Sequence, residues 1–337
     1  MLTAYLGLAT FVLFLDLSTI ERRSVVQVVI DIILLVSAFL GGVALLAYSS
    51  EKAVKHSVSM ASALGISPLM IGLVVVSLGT DLPEIVNSIT SSAMGHGDIN
   101  VGDSFGSVLV QLTLVLGLVA LLGGAFRVKR NEIVVIGSCE LLALIASVSM
   151  VEKGYISRIN AVFLVASFPL LMLIIRNIMK NEYAMPQGNT KLFRHIVIAI
   201  IGYVGVAIGA YVVVNSVVAL SAGAHIPEYL ISFFVVAIGT SLPELAVDLA
   251  AVRRKQYGIA IGDAIGSCIV DAGLSIGIGP LFFPTTVSAR LAETTGLYAL
   301  FASIVVLLVL AVRQKLDRKA GVFFIILYGL SYAILLV

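Results

Sequence analysis

The chain alternates long apolar runs with short polar breaks. A bilayer-crossing helix takes about 20 mostly apolar residues, and runs that qualify lie near 26–48, 69–93, 99–122, 131–151, 159–176, 196–220, 230–251, 258–283, 294–312 and 321–337. The pattern therefore predicts an all-α polytopic membrane protein with ten core transmembrane helices. A further run, residues 2–20 within a hydrophobic segment 1–25, is apolar except for Asp16. It lacks the basic start and small-residue cleavage site of a signal peptide, so an extra N-terminal helix is expected there.

The longest polar stretch, Arg176 to His195, divides the ten runs into five and five. It reads as a short cytoplasmic linker centred on 181–195, between a first unit 26–180 and a second unit 196–337. An odd number of helices per unit makes the second enter the membrane from the opposite side, so a repeat between the units is inverted. The repeat is visible. Residues 78–117 laid over 238–277, at an offset of 160, match at 13 of 40 positions without a gap. The matches cluster on Gly, Thr, Pro, Glu, Asp and Ser, nine of the 13, more than on the interchangeable aliphatic residues, which points to duplication.

Composition strengthens this picture. Hydrophobic residues make up 60% and charged residues 12% of the chain, with a mean hydropathy of +1.11, far outside the range of soluble domains. The expected location is the cell membrane, multi-pass. Lys and Arg near span ends mark the cytoplasmic side, and the breaks at 49–58, 127–130, 176–195, 253–255 and 313–319 hold 16 of the 21. Cys139 and Cys268 fall inside runs and are expected to pack as small apolar residues. The four histidines, His56, His96, His195 and His225, sit in or beside breaks, and no metal-ligand spacing links them.

The chemistry lies where the apolar runs are interrupted. Gly79 to Glu84 reads GTDLPE and Gly239 to Glu244 reads GTSLPE. Proline has no N–H for the carbonyl four residues back, so Pro83 frees the Gly79 carbonyl and Pro243 the Gly239 carbonyl. Such groups persist at membrane depth only where protein, a water-lined cavity or an ion satisfies them. Thr80 and Thr240 lie four residues before Glu84 and Glu244, and Asp81 and Ser241 lie three before, so each set shares a helix face. Twenty-seven residues past each Glu, the next run reaches mid-span at Gln111 and Asp271, with Ser107 and Ser267 one turn earlier. Oxygen donors from four helices are expected to converge near the bilayer middle. Intramembrane carboxylates are costly, so four at similar depth on duplicated elements read as functional. All-oxygen donors suit hard cations such as Ca2+ or Na+, whereas zinc or copper would draw imidazole or thiolate.

Gly102, Gly106, Gly262 and Gly266, at four-residue spacing, are expected to let helices approach closely. Asp103 and Asp263, which follow Gly102 and Gly262, are open between structural, ion-path and binding roles. Asp16, Asp31 and Asp248 have no symmetric mate and are expected to snorkel or face solvent. Broken helices at the midplane of an inverted repeat are the layout of an alternating-access secondary transporter, and with no phosphate-binding loop and no large soluble domain, transport must be driven by a gradient.

At these residues the chain resembles the cation/calcium exchanger superfamily, and within it the short prokaryotic sodium/calcium exchangers. The likeness covers about 26–337. It implies exchange of Na+ for Ca2+ by alternating access, with Glu84 and Glu244 as bridging carboxylates, Asp271 as the carboxylate of the second repeat, and Thr80, Thr240, Ser241, Ser107 and Ser267 as hydroxyl or carbonyl donors. It also implies a gate, here about 26–58 with 196–220, that slides against a rigid core. Three departures stand out: Asp81 where the family has Ser, Gln111 where it has Asn, and GD in place of GN before each GS. The additional acid at 81 calls for another cation or a bound proton, because two carboxylates that close in a dry site resist ionising together.

Membrane lipid and small inorganic cations are the implied partners, with no nucleic acid, no enzymatic activity and no cofactor. The oligomeric state is left open. H+-coupled or K+-involving divalent cation antiport is a neighbouring reading, prompted by Asp81. A passive channel and an intramembrane aspartyl protease using Asp103 and Asp263 are remoter ones. The protease reading leaves both GT-x-LPE repeats unexplained.

Overall fold

The structure, a computed structural model, describes residues 25–65, 67–179, 192–221 and 228–335. The expected helix over 2–20 and most of the 181–195 linker lie outside the described residues. Ten helical elements follow in order. They are α1 (Val25–Leu64), α2 (Pro68–Thr80 and Leu82–Ala93), α3 (Gly97–Leu122), α4 (Arg130–Val151), α5 (Arg158–Ile178), α6 (Leu192–Ser221), α7 (Tyr229–Arg253), α8 (Tyr257–Phe282), α9 (Ala289–Arg313) and α10 (Arg318–Leu335). Each matches one expected span. The chain is a multi-pass membrane protein built as an inverted repeat.

One boundary is corrected. The break placed at 49–58 is helical, because α1 runs on to Leu64. Polar side chains do not end a helix by themselves, and no glycine or proline follows until Gly65. This extension is amphipathic: Ser49, Ser50, Ala53, Val54, Ser57 and Met60 are buried, while Glu51 and Lys52 are exposed. The buried stripe packs on α6, where the Ser57 and Tyr203 hydroxyls are hydrogen-bonded at 2.8 Å. His56 accordingly lies within a helix, not beside a loop, and its Nδ1 is 2.7 Å from that of His195 on α6.

Two short antiparallel pairings fix the ends of the bundle. Phe126–Arg127 pairs with Lys315–Leu316, and Tyr155–Ile156 pairs with Thr285–Thr286. Helix α4 runs from just after the first pairing to just before the second, and its 22 residues span about 33 Å. The pairings therefore sit at opposite ends. The first joins two of the lysine- and arginine-rich breaks and the second joins two of the poorer ones, as the charge distribution requires. At the first end Asp317 accepts from the Ala320 amide (3.0 Å) and pairs with Arg313 (2.8 Å) and Lys315 (3.0 Å). That hydrogen bond, with the two cations, holds its carboxyl down to about 2.

The duplication extends past the recognisable sequence match. Gly95, at φ +81°, turns the chain between α2 and α3, and the equivalent turn between α7 and α8 uses Lys255 at φ +59°. Gly154 at φ +73° is likewise matched, 160 residues on, by Gln314 at φ +50°. A side chain is uncommon in this left-handed region, so backbone geometry has outlasted residue identity. Gly102 and Gly106 press against α7, at Tyr229 and Phe233. Gly262 and Gly266 press against α2, at Leu69 and Leu73. A Cβ at any of the four would meet backbone, so the close-packing role holds.

The charge distribution puts the 94–96 and 152–156 turns outside and the 314–319 corner in the cytoplasm. Cysteines at the exposed positions Met94 and Tyr155 should react with an impermeant maleimide in intact cells, and one at Lys319 only after lysis. Cys139 and Cys268 are buried and should add little background. Labelling of Lys319→Cys from outside would contradict the assignment.

Candidate ion-binding site

Both signature helices break where their costly residues sit. In α2 the first segment ends at Thr80, Asp81 leaves helical geometry at φ −76°, ψ 8°, and the second segment starts at Leu82 with Pro83 in its first turn. The two segments meet at a 45° bend. In α7 Ser241 takes φ −81°, ψ 5° and Pro243 opens the second segment. Glu84 and Glu244 thus lie in first turns, where unpaired amides and the helix dipole favour a negative charge. Each of the four helices also carries a π-helical turn, at Gly72–Val76, Val110–Val115, Ser232–Val236 and Val270–Ser275, in pairs 160 residues apart. Gln111 and Asp271 sit inside two of these turns. Single π turns within α-helices are frequent at functional positions, because the extra residue re-aims the side chains that follow.

The breaks bring the carboxylates together. Asp81, Glu84 and Asp271 are buried, and each offers a carboxylate oxygen within 4.8 Å of the other two. Glu244, fully buried, neighbours Asp81 and Thr80. Both oxygens of Asp81, Glu84 and Glu244 and Oδ1 of Asp271 have no hydrogen-bond donor, and neither do the buried hydroxyls of Ser241 and Ser267. Asp271 Oδ2 accepts from Gln111 Nε2 at 3.1 Å, so the longer amide at 111 reaches across the repeat axis. Gln111 Oε1 in turn receives the Cys268 thiol at 3.2 Å. Cys268 is buried as expected, and its sulfur also lies 3.1 Å from the Ala264 carbonyl oxygen, so its one proton has two acceptors within reach.

The threonines hold the two repeats to each other. Thr240 donates to Asp103 Oδ1 at 3.0 Å, and Thr80 is placed to donate to Asp263 Oδ1 at 3.3 Å. Ser107 lies 3.3 Å from the Thr240 hydroxyl. The aspartate after Gly102 or Gly262 in one repeat therefore clamps the signature threonine of the other. Asp103 is completed by Asn87 Nδ2, whereas Asp263 Oδ2 has no donor. The hydrogen bonds of Asp103 and Asp263 run to these partners and not to each other, unlike those of a catalytic dyad. Gly79 faces the Tyr203 ring, which would collide with a Cβ there, and Gly239 is buried beside Thr240. Tyr203 thus connects α6 to the break in α2.

Two carboxylates depart from expectation. Asp248, expected to snorkel or face solvent, is fully buried one turn past Glu244, because α7 is enclosed by α8 and α1. Its polar surroundings come from tertiary packing that periodicity does not reveal. Asp31's side chain and Asp16 lie outside the described residues. Glu140 on α4, absent from the sequence-derived set, is also fully buried. Its Oε1 accepts from Ser303 on α9 at 2.9 Å and its Oε2 has no donor. Its depth in the 131–151 run was the signal available.

Comparisons with known proteins agree with this geometry. The family model described as sodium/calcium exchanger protein matches residues 34–176 and 194–337. An uncharacterised membrane protein of Methanocaldococcus jannaschii is 33% identical over 310 residues, covering 90% of this chain and 98% of the relative. The sodium/calcium exchanger MaX1 of Methanosarcina acetivorans is 26% identical over 329 residues, covering 85% and 94%. A solved structure of a sodium-calcium exchanger soaked with Na+ and Sr2+ superposes with a TM-score of 0.75 at 33% identity, covering 90% of this chain and 98% of the other. The inverted ten-helix frame, the paired signature breaks and these matches together place the chain in the sodium/calcium exchanger protein family.

Proposed function

We propose that the chain is a secondary active antiporter that exchanges Na+ for Ca2+ by alternating access, with units 26–180 and 196–337 joined by 181–195. Asp81, Glu84, Glu244 and Asp271 hold the transported cation. Gln111, the hydroxyls of Thr80, Thr240, Ser107, Ser241 and Ser267, and the carbonyls of Gly79 and Gly239 complete its surroundings.

The observation that carries this reading is the buried triad Asp81, Glu84 and Asp271. Calcium binds oxygens at about 2.4 Å, so two oxygens on a common ion lie at most about 4.8 Å apart. The triad meets that limit. At that separation two unit negative charges repel by about 3 kcal/mol at an effective dielectric constant near 20. No lysine or arginine is buried among the described residues, so a bound cation or proton must offset the repulsion. Oxygen-only donors favour hard cations. Exchange follows if the same oxygens take Ca2+ or Na+ in turn and the gate moves only when they are filled. Tyr203 against Gly79 gives α1 and α6 a direct contact with the occupied region.

Asp81 supports a second reading, in which H+ or K+ takes part in the cycle, because it adds a negative charge beside Glu84. Uptake of 45Ca2+ into proteoliposomes, with the Na+, H+ and K+ gradients varied one at a time, separates the two. Uptake driven by Na+ alone at fixed pH supports Na+/Ca2+ exchange. Uptake that needs an H+ or K+ gradient supports the second.

Glu84→Gln and Glu244→Gln should each reduce Na+-driven 45Ca2+ uptake to background in a protein that still elutes as a single species, because the amide keeps volume and loses charge. Normal uptake by either variant contradicts the site. Asp81→Ser should flatten the pH dependence of half-saturating Ca2+, and profiles identical to wild type would remove Asp81 from the coupling. Thr80→Val and Thr240→Val should lower thermal stability by about 1–3 kcal/mol each, the usual cost of leaving a buried acceptor unpaired. Melting of the purified variants checks this.

A further inference from the structure

Asp263 and Asp103 are equivalent by the 160-residue offset, yet their surroundings differ. Asp103 is satisfied on both oxygens, by Thr240 and by Asn87. The first-repeat counterpart of Asp248 is Ser88, whose hydroxyl accepts from the Gly279 amide and leaves Asp103 alone. In the second repeat no side-chain amide donates to Asp263 among the described residues. Val247 stands where Asn87 would be, and the carboxylate of Asp248 lies against Asp263 instead. Both residues are fully buried. The two carboxyls lie within hydrogen-bonding reach of each other, and beyond that contact and the neighbouring hydroxyls, neither oxygen of Asp248 nor Oδ2 of Asp263 has a partner among the described residues. The remaining polar neighbours are oxygens as well: the hydroxyls of Thr80 and Ser267 and the carboxylate of Glu244.

The position of this pair is set by helix geometry. Asp248 is four residues, about 6 Å, past Glu244 toward the Arg253 end of α7. Asp263 lies one turn before Ser267 and two before Asp271, nearer the Tyr257 end of α8. The pair thus sits between the central triad and the turn that carries Arg254 and Lys255, the end assigned to the cytoplasm by charge. The first repeat, satisfied by Asn87, has no matching carboxylate pair toward its own turn.

We propose that Asp248 and Asp263 form a second cation site, which takes a divalent ion of the calcium class between the central triad and the cytoplasmic turn. Two carboxylates supply the charge that neutralises a divalent ion, and the nearby hydroxyls supply neutral oxygens for its remaining positions. The asymmetry of the repeats then has a function: an ion leaving the triad toward the α7–α8 turn meets a carboxylate pair, and one leaving toward the α2–α3 turn does not. This direction of travel rests on the exchanger reading, whereas the binding itself does not.

Equilibrium binding of 45Ca2+ to the purified protein in zwitterionic nanodiscs without Na+ tests the inference. Asp81→Asn/Asp271→Asn, and separately Glu84→Gln, weaken the triad. Both should retain a Ca2+ site at least about ten-fold weaker than that of the wild type. Adding Asp248→Ser, which copies the first repeat, or Asp263→Asn should abolish it, while Asp248→Ser alone should keep the tighter site. Size-exclusion profiles matching the wild type confirm folding. Two outcomes overturn the proposal: loss of all binding in both triad variants while the wild type binds, or residual binding that survives Asp248→Ser and Asp263→Asn. Absence of binding in the wild type would instead remove the exchanger reading.

Discussion

The structure depends on one imbalance of charge. Asp81, Glu84, Asp103, Glu140, Glu244, Asp248, Asp263 and Asp271 are all buried, and among the described residues no lysine or arginine is buried with them. The ion pairs lie at the ends of the bundle, as Lys129–Glu132, Arg254–Glu51 and the Asp317 cluster do. Taking a carboxylate out of water costs several kcal/mol even after relaxation. A chain that buries so many carboxylates with no lysine or arginine among them, even where hydroxyls and amides bond to some, must gain the balancing positive charge from outside itself. Cation binding is therefore a condition for the ionised core as well as the purpose of the protein.

The duplicated fold answers the problem of holding such groups in place. Within one repeat, Thr80 and Glu84 share a helix face, but the aspartate that clamps Thr80 comes from the other repeat. The same crossing joins Thr240 to Asp103 and Gln111 to Asp271. Glycines at 102, 106, 262 and 266 allow the helices that carry these groups to touch backbone to backbone. The site belongs to neither half alone. Helices α1 and α6 pack against each other and reach the site through Tyr203 on Gly79.

Much of this was legible before any coordinates. Apolar run length located all ten helices, because a bilayer allows little else, and the repeated GT-x-LPE located the helix breaks, because proline in grease demands a reason. Two of the breaks that charge assigned to one side, 127–130 and 313–319, meet in the Phe126–Arg127 and Lys315–Leu316 pairing. What remained hidden was tertiary. Asp248 resembles a solvent-facing acid on its own helix, and only the packing of α8 and α1 encloses it. Glu140 has no repeat partner and no motif around it. The threonine clamps join residues 137 and 183 apart, a pairing no spacing rule contains. The end of α1 was misplaced because lysines that mark the membrane boundary do not mark the end of a helix.

The central claim is that the buried triad closes on a cation. A structure determined with bound Sr2+, whose anomalous scattering marks the ion without ambiguity, tests it most directly. The account predicts a peak within coordination distance of carboxylate oxygens of Asp81, Glu84 and Asp271 together. A Sr2+ peak elsewhere, with the Asp81 carboxylate turned out of the cluster, would contradict it.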